Sequence, residues 1–147
     1  FILIVGSGTE YSKISRFFVF VRPQNAKLMA HMPREDYEVL ANTCDVGLIF
    51  LDKRFTIPNF PSRLLSYMLA SMPVLAATDV NTDIGDTILK GNFGYWCVSD
   101  NAMEFNCLMN NMCDKDLLSE FGNNSRKYLE NNYTSKHSYN IIMKHFI

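Results

Sequence analysis

The residues with the greatest chemical potential lie in the run Asn59-Phe60-Pro61-Ser62-Arg63, where a turn-rich loop meets an apolar helical segment. Pro61 suits the first turn of a helix, because its missing N–H is not needed there. Ser62 and Arg63 add backbone amides, a hydroxyl and a guanidinium at the positive end of the helix dipole, which favours an anion such as phosphate. An ordinary capped helix in an α/β sheet is the alternative, and the spacing alone leaves both open.

Strand and helix patterns alternate along the chain, which predicts parallel βαβ units and an α/β sandwich. The predicted strands are Phe1–Val5, Ala26–Ala30, Asp45–Leu51, Pro73–Ala77 and Tyr95–Val98. The predicted helices are Glu10–Phe18, Arg34–Thr43, Ser62–Ser71 and Asp83–Lys90, followed by a helical region from Asn101 to Ile147 with breaks near Asp114, near Gly122 and at Thr134-Ser135. The loop Asp52–Phe60 joins the third strand to the third helix.

The length, charge and cysteine spacing of the chain exclude several classes of function. At 147 residues, the chain is long enough for one domain with a hydrophobic core. A net charge of −1 gives no electrostatic footprint for nucleic acid, and the apolar runs are too short to cross a bilayer. No paired metal-ligand spacing is present among the cysteines. We therefore expect buried free thiols in a reducing compartment at Cys44, Cys97, Cys107 and Cys113.

The segment Tyr67–Val74, which reads YMLASMPV, leads from the third helix into a strand. Together with the preceding loop it resembles the donor-site segment of GT-B type retaining glycosyltransferases, in which E-G-F-G-x-x-x-x-E is followed by A-M-A-x-G-x-P-V. The first glutamate of that pattern falls on Pro58, the glycine-rich turn on Asn59-Phe60-Pro61 and the second glutamate on Ser66. Some members that build bacterial surface polysaccharides carry a similar N-x-P-S-K/R loop, and the resemblance covers nearly the whole chain.

This resemblance implies a Rossmann-like three-layer α/β/α sandwich with a mostly parallel sheet and C-terminal helices. It implies one donor-binding domain over residues 1–147, cut from a longer protein whose upstream strand and helix and acceptor-binding domain are absent. The missing strand is central in related domains, so a gap, a rearranged sheet or intermolecular pairing is expected. The implied substrate is a nucleotide-diphosphate sugar, with no cofactor and no metal. The acceptor is a glycan or lipid-linked molecule, and the whole protein is expected in the cytoplasm or at the inner face of the membrane.

The resemblance also implies roles for particular residues, although it assigns no catalytic residue. Diphosphate binding falls on Phe60, Pro61, Ser62 and Arg63, and a donor-sugar contact falls on Asn59. Ser66 takes the ribose position, where its single hydroxyl is a poorer acceptor than a carboxylate. The nucleobase loop contains His31, Met32 and Arg34, and the turn Gly6, Ser7 and Gly8 lines the donor cleft.

Other interpretations of the charged and glycine-rich positions remain open. Gly6-Ser7-Gly8 starts like a dinucleotide fingerprint, but the third glycine position is Tyr11 and no acidic residue closes the next strand. Arg34 and its acidic neighbours also fit a solvated first helical turn. The charges of Asp52-Lys53-Arg54 either steer a diphosphate or lie in a solvated loop. Asp79 and Asp83 are predicted to form a turn and a helix cap.

The sequence is compatible with three functions. The first is the donor-binding half of a glycosyltransferase that moves a sugar from a nucleotide-diphosphate donor, the fragment alone being inactive. The second is a degenerate, non-catalytic domain used as a scaffold, because both family glutamates are replaced, by Pro58 and Ser66. The third is a sugar-nucleotide epimerase or a phosphorylase of the same architecture.

Overall fold

The computed structural model describes residues 1–54, 57 and 59–146. Its strands are β1 (Ile2–Gly6), β2 (Ala26–Ala30), β3 (Gly47–Phe50), β4 (Val74–Thr78) and β5 (Gly94–Val98). Its helices are α1 (Tyr11–Val21), α2 (Arg34–Ala41), α3 (Arg63–Leu69), α4 (Ile84–Gly91), α5 (Ala102–Asn111), α6 (Lys115–Asn132) and α7 (Ser135–Met143). The described strands pair in parallel as β1-β2 and as β3-β4-β5, so the predicted α/β class is confirmed.

The chain divides into two compact units, residues 1–40 and 41–147. In the first unit, β1 and β2 pair from Ile2 opposite Ala26 to Gly6 opposite Ala30. No residue of α1 is buried, and Phe20 is 89% exposed. The prediction of a single domain over the whole chain stays a prediction.

The second unit is built around β4, whose five residues are all buried. Val74 and Ala76 belong to one apolar cluster, and Leu75 belongs to another. The first cluster includes side chains of α3 and α4, and the second includes Phe121 of α6. Since side chains alternate across a strand, the sheet of this unit is covered by helices on both faces. This is the three-layer order that the family resemblance implies.

The C-terminal helices begin as predicted but do not all end as predicted. The Asp114 carboxylate accepts hydrogen bonds from the amides of Asp116 and Leu117 at 2.9 and 3.3 Å, which starts α6. Thr134 caps α7 in the same manner. The break predicted near Gly122 is wrong, because α6 continues through it. A Cβ atom at Gly122 would lie 2.4 Å from the Ser71 carbonyl oxygen, so this glycine permits close packing.

The end of the third helix also differs from the sequence prediction. The third helix ends at Leu69 instead of Ser71, because Ser71 adopts a left-handed conformation with φ 54°. Two stretches lie outside the described residues: positions 55, 56 and 58 of the predicted loop Asp52–Phe60, and the end of the helical region at Ile147.

The cysteine prediction holds only in part. Cys97 is buried, and burial raises the pKa of its thiol, whereas Cys44 is half-buried. Cys107 and Cys113 are exposed, so the prediction is wrong for these two residues. Cys107 lies on α5, which packs Phe105, Leu108 and Met109 against the core. Its position between these residues turns the thiol away from the core.

The last helix has an exposed apolar face. Tyr139 is 61% exposed and Ile142 is 55% exposed. Within the part of the chain that the structure describes, no helix has both the length and the apolar character that a membrane span requires.

Replacing Ser125 by alanine is expected to raise the free energy of unfolding by about 1 kcal/mol. Ser125 of α6 is fully buried, and its hydroxyl has no hydrogen-bond partner among the described residues. Removing it relieves the cost of an unsatisfied polar group, and alanine also favours the helix. Urea unfolding measures the change, with Asn123→Ala on the exposed side of α6 as the control for helix propensity. A loss of stability in Ser125→Ala would show that the hydroxyl is bonded.

Candidate functional site

The strand ends at the carboxyl edge of the β3-β4-β5 sheet are joined by hydrogen bonds. The Leu51 amide donates to the Ala77 carbonyl at 3.0 Å, which extends the strand pairing by one residue. The Ser99 hydroxyl, directly after β5, contacts the carbonyl oxygens of both Leu51 and Ala77. Three strand ends are therefore tied together where the loop toward α3 begins. Ligands of open α/β sheets bind at this edge.

In the turn before α3, two backbone amides have no acceptor among the described residues. The Leu64 amide donates to the Pro61 carbonyl at 2.9 Å, and the Leu65 amide donates to the Ser62 carbonyl at 3.1 Å. Among the described residues, the amides of Ser62 and Arg63 have no hydrogen-bond acceptor. Both residues are exposed, whereas Pro61 is buried, and the Ser62 side chain makes no capping bond. Two amides, a hydroxyl and a guanidinium are thus open to a ligand.

Arg63 differs from the cations of the preceding loop, because those cations form ion pairs. Arg54 bonds the Asp52 carboxylate through two nitrogens at 2.8 and 2.6 Å, and these hydrogen bonds lower the pKa of Asp52. Lys53 pairs with Asp100 at 2.8 Å. These partners offset the charges that the sequence suggested for steering a diphosphate. Arg63 forms no ion pair with any residue that the structure describes, so its charge is uncompensated.

Of the remaining residues predicted for this site, one packs against the core and the others are exposed to solvent. The Phe60 side chain packs against the apolar core, whereas Asn59 is exposed. Ser66 is exposed and lies one helical turn after Ser62. Residues four apart share a helix face, so the predicted ribose and diphosphate positions lie on one face of α3.

The predicted residues of the first unit lie at the carboxyl ends of β1 and β2. Because Gly6 pairs with Ala30, the turn Gly6-Ser7-Gly8 and the loop starting at His31 are neighbours at one edge of this sheet. Gly8 has φ 148°, a conformation that favours glycine. Met32 lies between His31 and α2, and Arg34 pairs with Glu38 at 2.7 Å on the exposed surface of α2. The nucleobase role of this loop stays a prediction.

The predicted turn at Asp79 is confirmed, but the predicted cap is not. Asp79 is 1% exposed, and its carboxylate accepts from the amides of Asn81 and Thr82 at 2.8 and 3.0 Å. Asp83 stands at the N-cap of α4, yet its side chain makes no capping bond. Its φ of −83° and ψ of 7° are not the extended values typical of a capping side chain, which explains the difference.

The described residues hold no group of His, Cys, Asp or Glu side chains arranged to bind a metal ion.

No protein-family model matches the chain. The chain is 22% identical over 130 residues to the "Probable glycosyltransferase WbjE" of Pseudomonas aeruginosa, a match that covers 88% of this chain and 32% of that protein.

Solved structures give the fold. WaaG, described as a glycosyltransferase involved in lipopolysaccharide biosynthesis, matches 92% of this chain with a TM-score of 0.64 at 17% identity. HepE of Anabaena, solved in complex with UDP-glucose, matches 87% with a TM-score of 0.65 at 18% identity. The fold is that of a GT-B glycosyltransferase domain. This chain spans about a third of the length of these relatives, since it covers 35% of each solved chain.

The GT-B fold confirms the Rossmann-like architecture expected from the Tyr67–Val74 segment. Of the two positions where the GT-B pattern has glutamate, Pro58 lies outside the described residues, and Ser66 is an exposed hydroxyl on α3. Sequence reasoning missed Ser99, which holds the loop start in place. A hydroxyl residue directly after an apolar strand was the signal available for it.

Proposed function

We propose that this chain is the donor-binding part of a glycosyltransferase that moves a sugar from a nucleotide-diphosphate sugar to an acceptor. The observation that carries the proposal is the GT-B fold, which spans nearly the whole chain and is shared with HepE, a protein solved in complex with UDP-glucose. The relative WbjE, named as a probable glycosyltransferase, supports the same class of activity. From the resemblance, the proposal includes a glycan or lipid-linked acceptor and peripheral association of the whole protein with a membrane.

In this proposal, the diphosphate lies at the turn before α3. The amides of Ser62 and Arg63 have no acceptor among the described residues, and the Arg63 guanidinium has no carboxylate partner there. Because α3 has only seven residues, the amides and the guanidinium supply most of the attraction and the helix dipole supplies less.

The chemical role of this turn is electrostatic. When the sugar leaves, negative charge develops on the diphosphate, and donors that are already oriented stabilise this charge without reorganising. A cationic side chain and backbone amides can fulfil this role without a metal ion, so we propose metal-independent binding. Ser66, with one hydroxyl, is proposed to contact the ribose more weakly than a carboxylate does.

Calorimetric titration of the 147-residue chain with UDP, GDP and ADP tests the proposal. Millimolar or tighter binding of at least one nucleoside diphosphate is expected, with unchanged affinity when EDTA is added. Inorganic phosphate, which lacks the nucleoside, is the control ligand and is expected to bind more weakly. A folded chain that binds none of the three diphosphates would refute the proposal.

A further inference from the structure

A chain of aromatic rings connects the proposed diphosphate loop to the core of the second unit. Phe93 is fully buried, and its ring centroid lies 5.4 Å from that of Tyr128. Tyr128 lies 6.0 Å from Tyr133, and Tyr133 lies 5.5 Å from Phe60, again between ring centroids. Phe60 immediately precedes Pro61 and the two amides that have no acceptor in the described part of the chain. The ring series thus ends next to the backbone donors proposed to bind the diphosphate.

Tyr133 is held in place from two directions. Its amide donates to the Leu129 carbonyl at 2.8 Å, which fixes it at the end of α6. Its ring packs against the rings of Tyr128 and Phe60, and burial raises the pKa of the phenol. The residue also stands directly before Thr134, the cap of α7.

Phe60 has fewer constraints than Tyr133. Within the described part of the chain, neither its amide nor its carbonyl makes a backbone hydrogen bond. Its position is therefore determined by side-chain packing, and Tyr133 is its aromatic contact. A shift of the Phe60 ring would be transmitted to Pro61 and Ser62, because they follow it directly in the backbone.

We propose that Tyr133 is a positioning residue for diphosphate binding, which it supports by holding Phe60 and thereby the amides of Ser62 and Arg63. The inference rests on the function proposed above. It adds that the junction between α6 and α7 controls the affinity of the donor loop. Tyr133 touches no ligand in this arrangement and acts through the ring of Phe60.

The first test compares affinities of Tyr133→Ala, Tyr133→Phe and Tyr139→Ala. The ligands are the tightest-binding nucleoside diphosphate of UDP, GDP and ADP, and its nucleoside. The interaction free energy of an aromatic pair corresponds to about a 3- to 10-fold change in affinity. Tyr133→Ala is expected to weaken binding of the diphosphate by that factor and to leave the affinity for the nucleoside unchanged. Tyr133→Phe keeps the ring and is expected to bind within about twofold of the parent chain.

Tyr139→Ala removes an exposed tyrosine from α7 and is expected to change neither affinity. Equal losses for diphosphate and nucleoside in Tyr133→Ala would indicate a general structural effect and overturn the inference. Unchanged diphosphate affinity would overturn it too. Tyr133→Leu, which keeps apolar volume without the ring, replaces the alanine variant if the latter does not fold.

The second test needs no ligand and separates this inference from the proposed function. Hydrogen exchange of a peptide covering residues 59–66 is measured in the parent chain and in the three tyrosine variants. Faster exchange is expected in Tyr133→Ala and not in Tyr133→Phe or Tyr139→Ala. If the parent chain binds no diphosphate, the proposed function fails, and this exchange pattern still decides whether Tyr133 holds the loop. Equal exchange in all variants would overturn the positioning role.

Discussion

Replacing Arg63 by alanine is expected to weaken binding of a nucleoside diphosphate about 10- to 30-fold and to leave nucleoside binding nearly unchanged. Arg63 is exposed and has no ion-pair partner among the described residues, so its charge is available to a phosphate. Charge-assisted hydrogen bonds of a guanidinium to phosphate oxygens are stronger than neutral ones. Solvent screening at an exposed site keeps the expected effect in the lower part of the usual range. Calorimetric titration with both ligands measures it.

The control for Arg63→Ala is Lys127→Ala, which removes the same charge from an exposed position on α6. It is expected to leave diphosphate affinity within about twofold of the parent chain, because a distant exposed charge is screened by salt. Raising the salt concentration should reduce the difference between the parent chain and Arg63→Ala. Equal losses of diphosphate and nucleoside binding would remove Arg63 from the proposed phosphate site.

Most of the fold follows from local sequence patterns. Each of the five strands was predicted within a few residues, because each contains a short apolar run, as in Val74–Thr78. Helix starts at Asp114 and Thr134 were also predictable, since a capping side chain acts on amides two or three residues away. The division of the strands into two sheets depends on pairing between distant segments, which local patterns do not specify.

Glycine in α6 shows where such patterns fail. Gly122 suggests a helix break from its propensity, but its role depends on Ser71, which comes close only in the folded chain. Prediction of the candidate site is limited in the same way, because local patterns do not show contacts between distant segments. The open amides at Ser62 and Arg63 follow from a loop-to-helix junction, whereas the contact between Ser99 and Leu51 joins residues 48 positions apart. The ring contact of Phe60 with Tyr133 likewise joins a loop to the end of a distant helix.

Replacing Gly94 by alanine is expected to lower the free energy of unfolding by about 4 kcal/mol or more. Gly94 begins β5 and pairs with Val74 of the central strand. A Cβ atom at Gly94 would lie 1.8 Å from the Val74 carbonyl oxygen, which is far inside van der Waals contact. Val74 is fully buried in a strand that pairs on both sides, so the backbone has little room to shift. A loss of this size is a large part of the stability of a typical domain.

Urea unfolding of Gly94→Ala measures the loss, with Gly6→Ala as the matched control. Gly6 is also in a strand, but a Cβ atom there would meet nothing within 4 Å, so a change within about 1 kcal/mol is expected. A Gly94→Ala chain with the parent's stability would mean that β5 does not pair with β4 as described. At a temperature where Gly94→Ala remains folded, its diphosphate affinity should equal that of the parent chain. The glycine acts on the sheet, whereas Arg63 acts on the ligand, and only the Arg63 variant should lose affinity while folded.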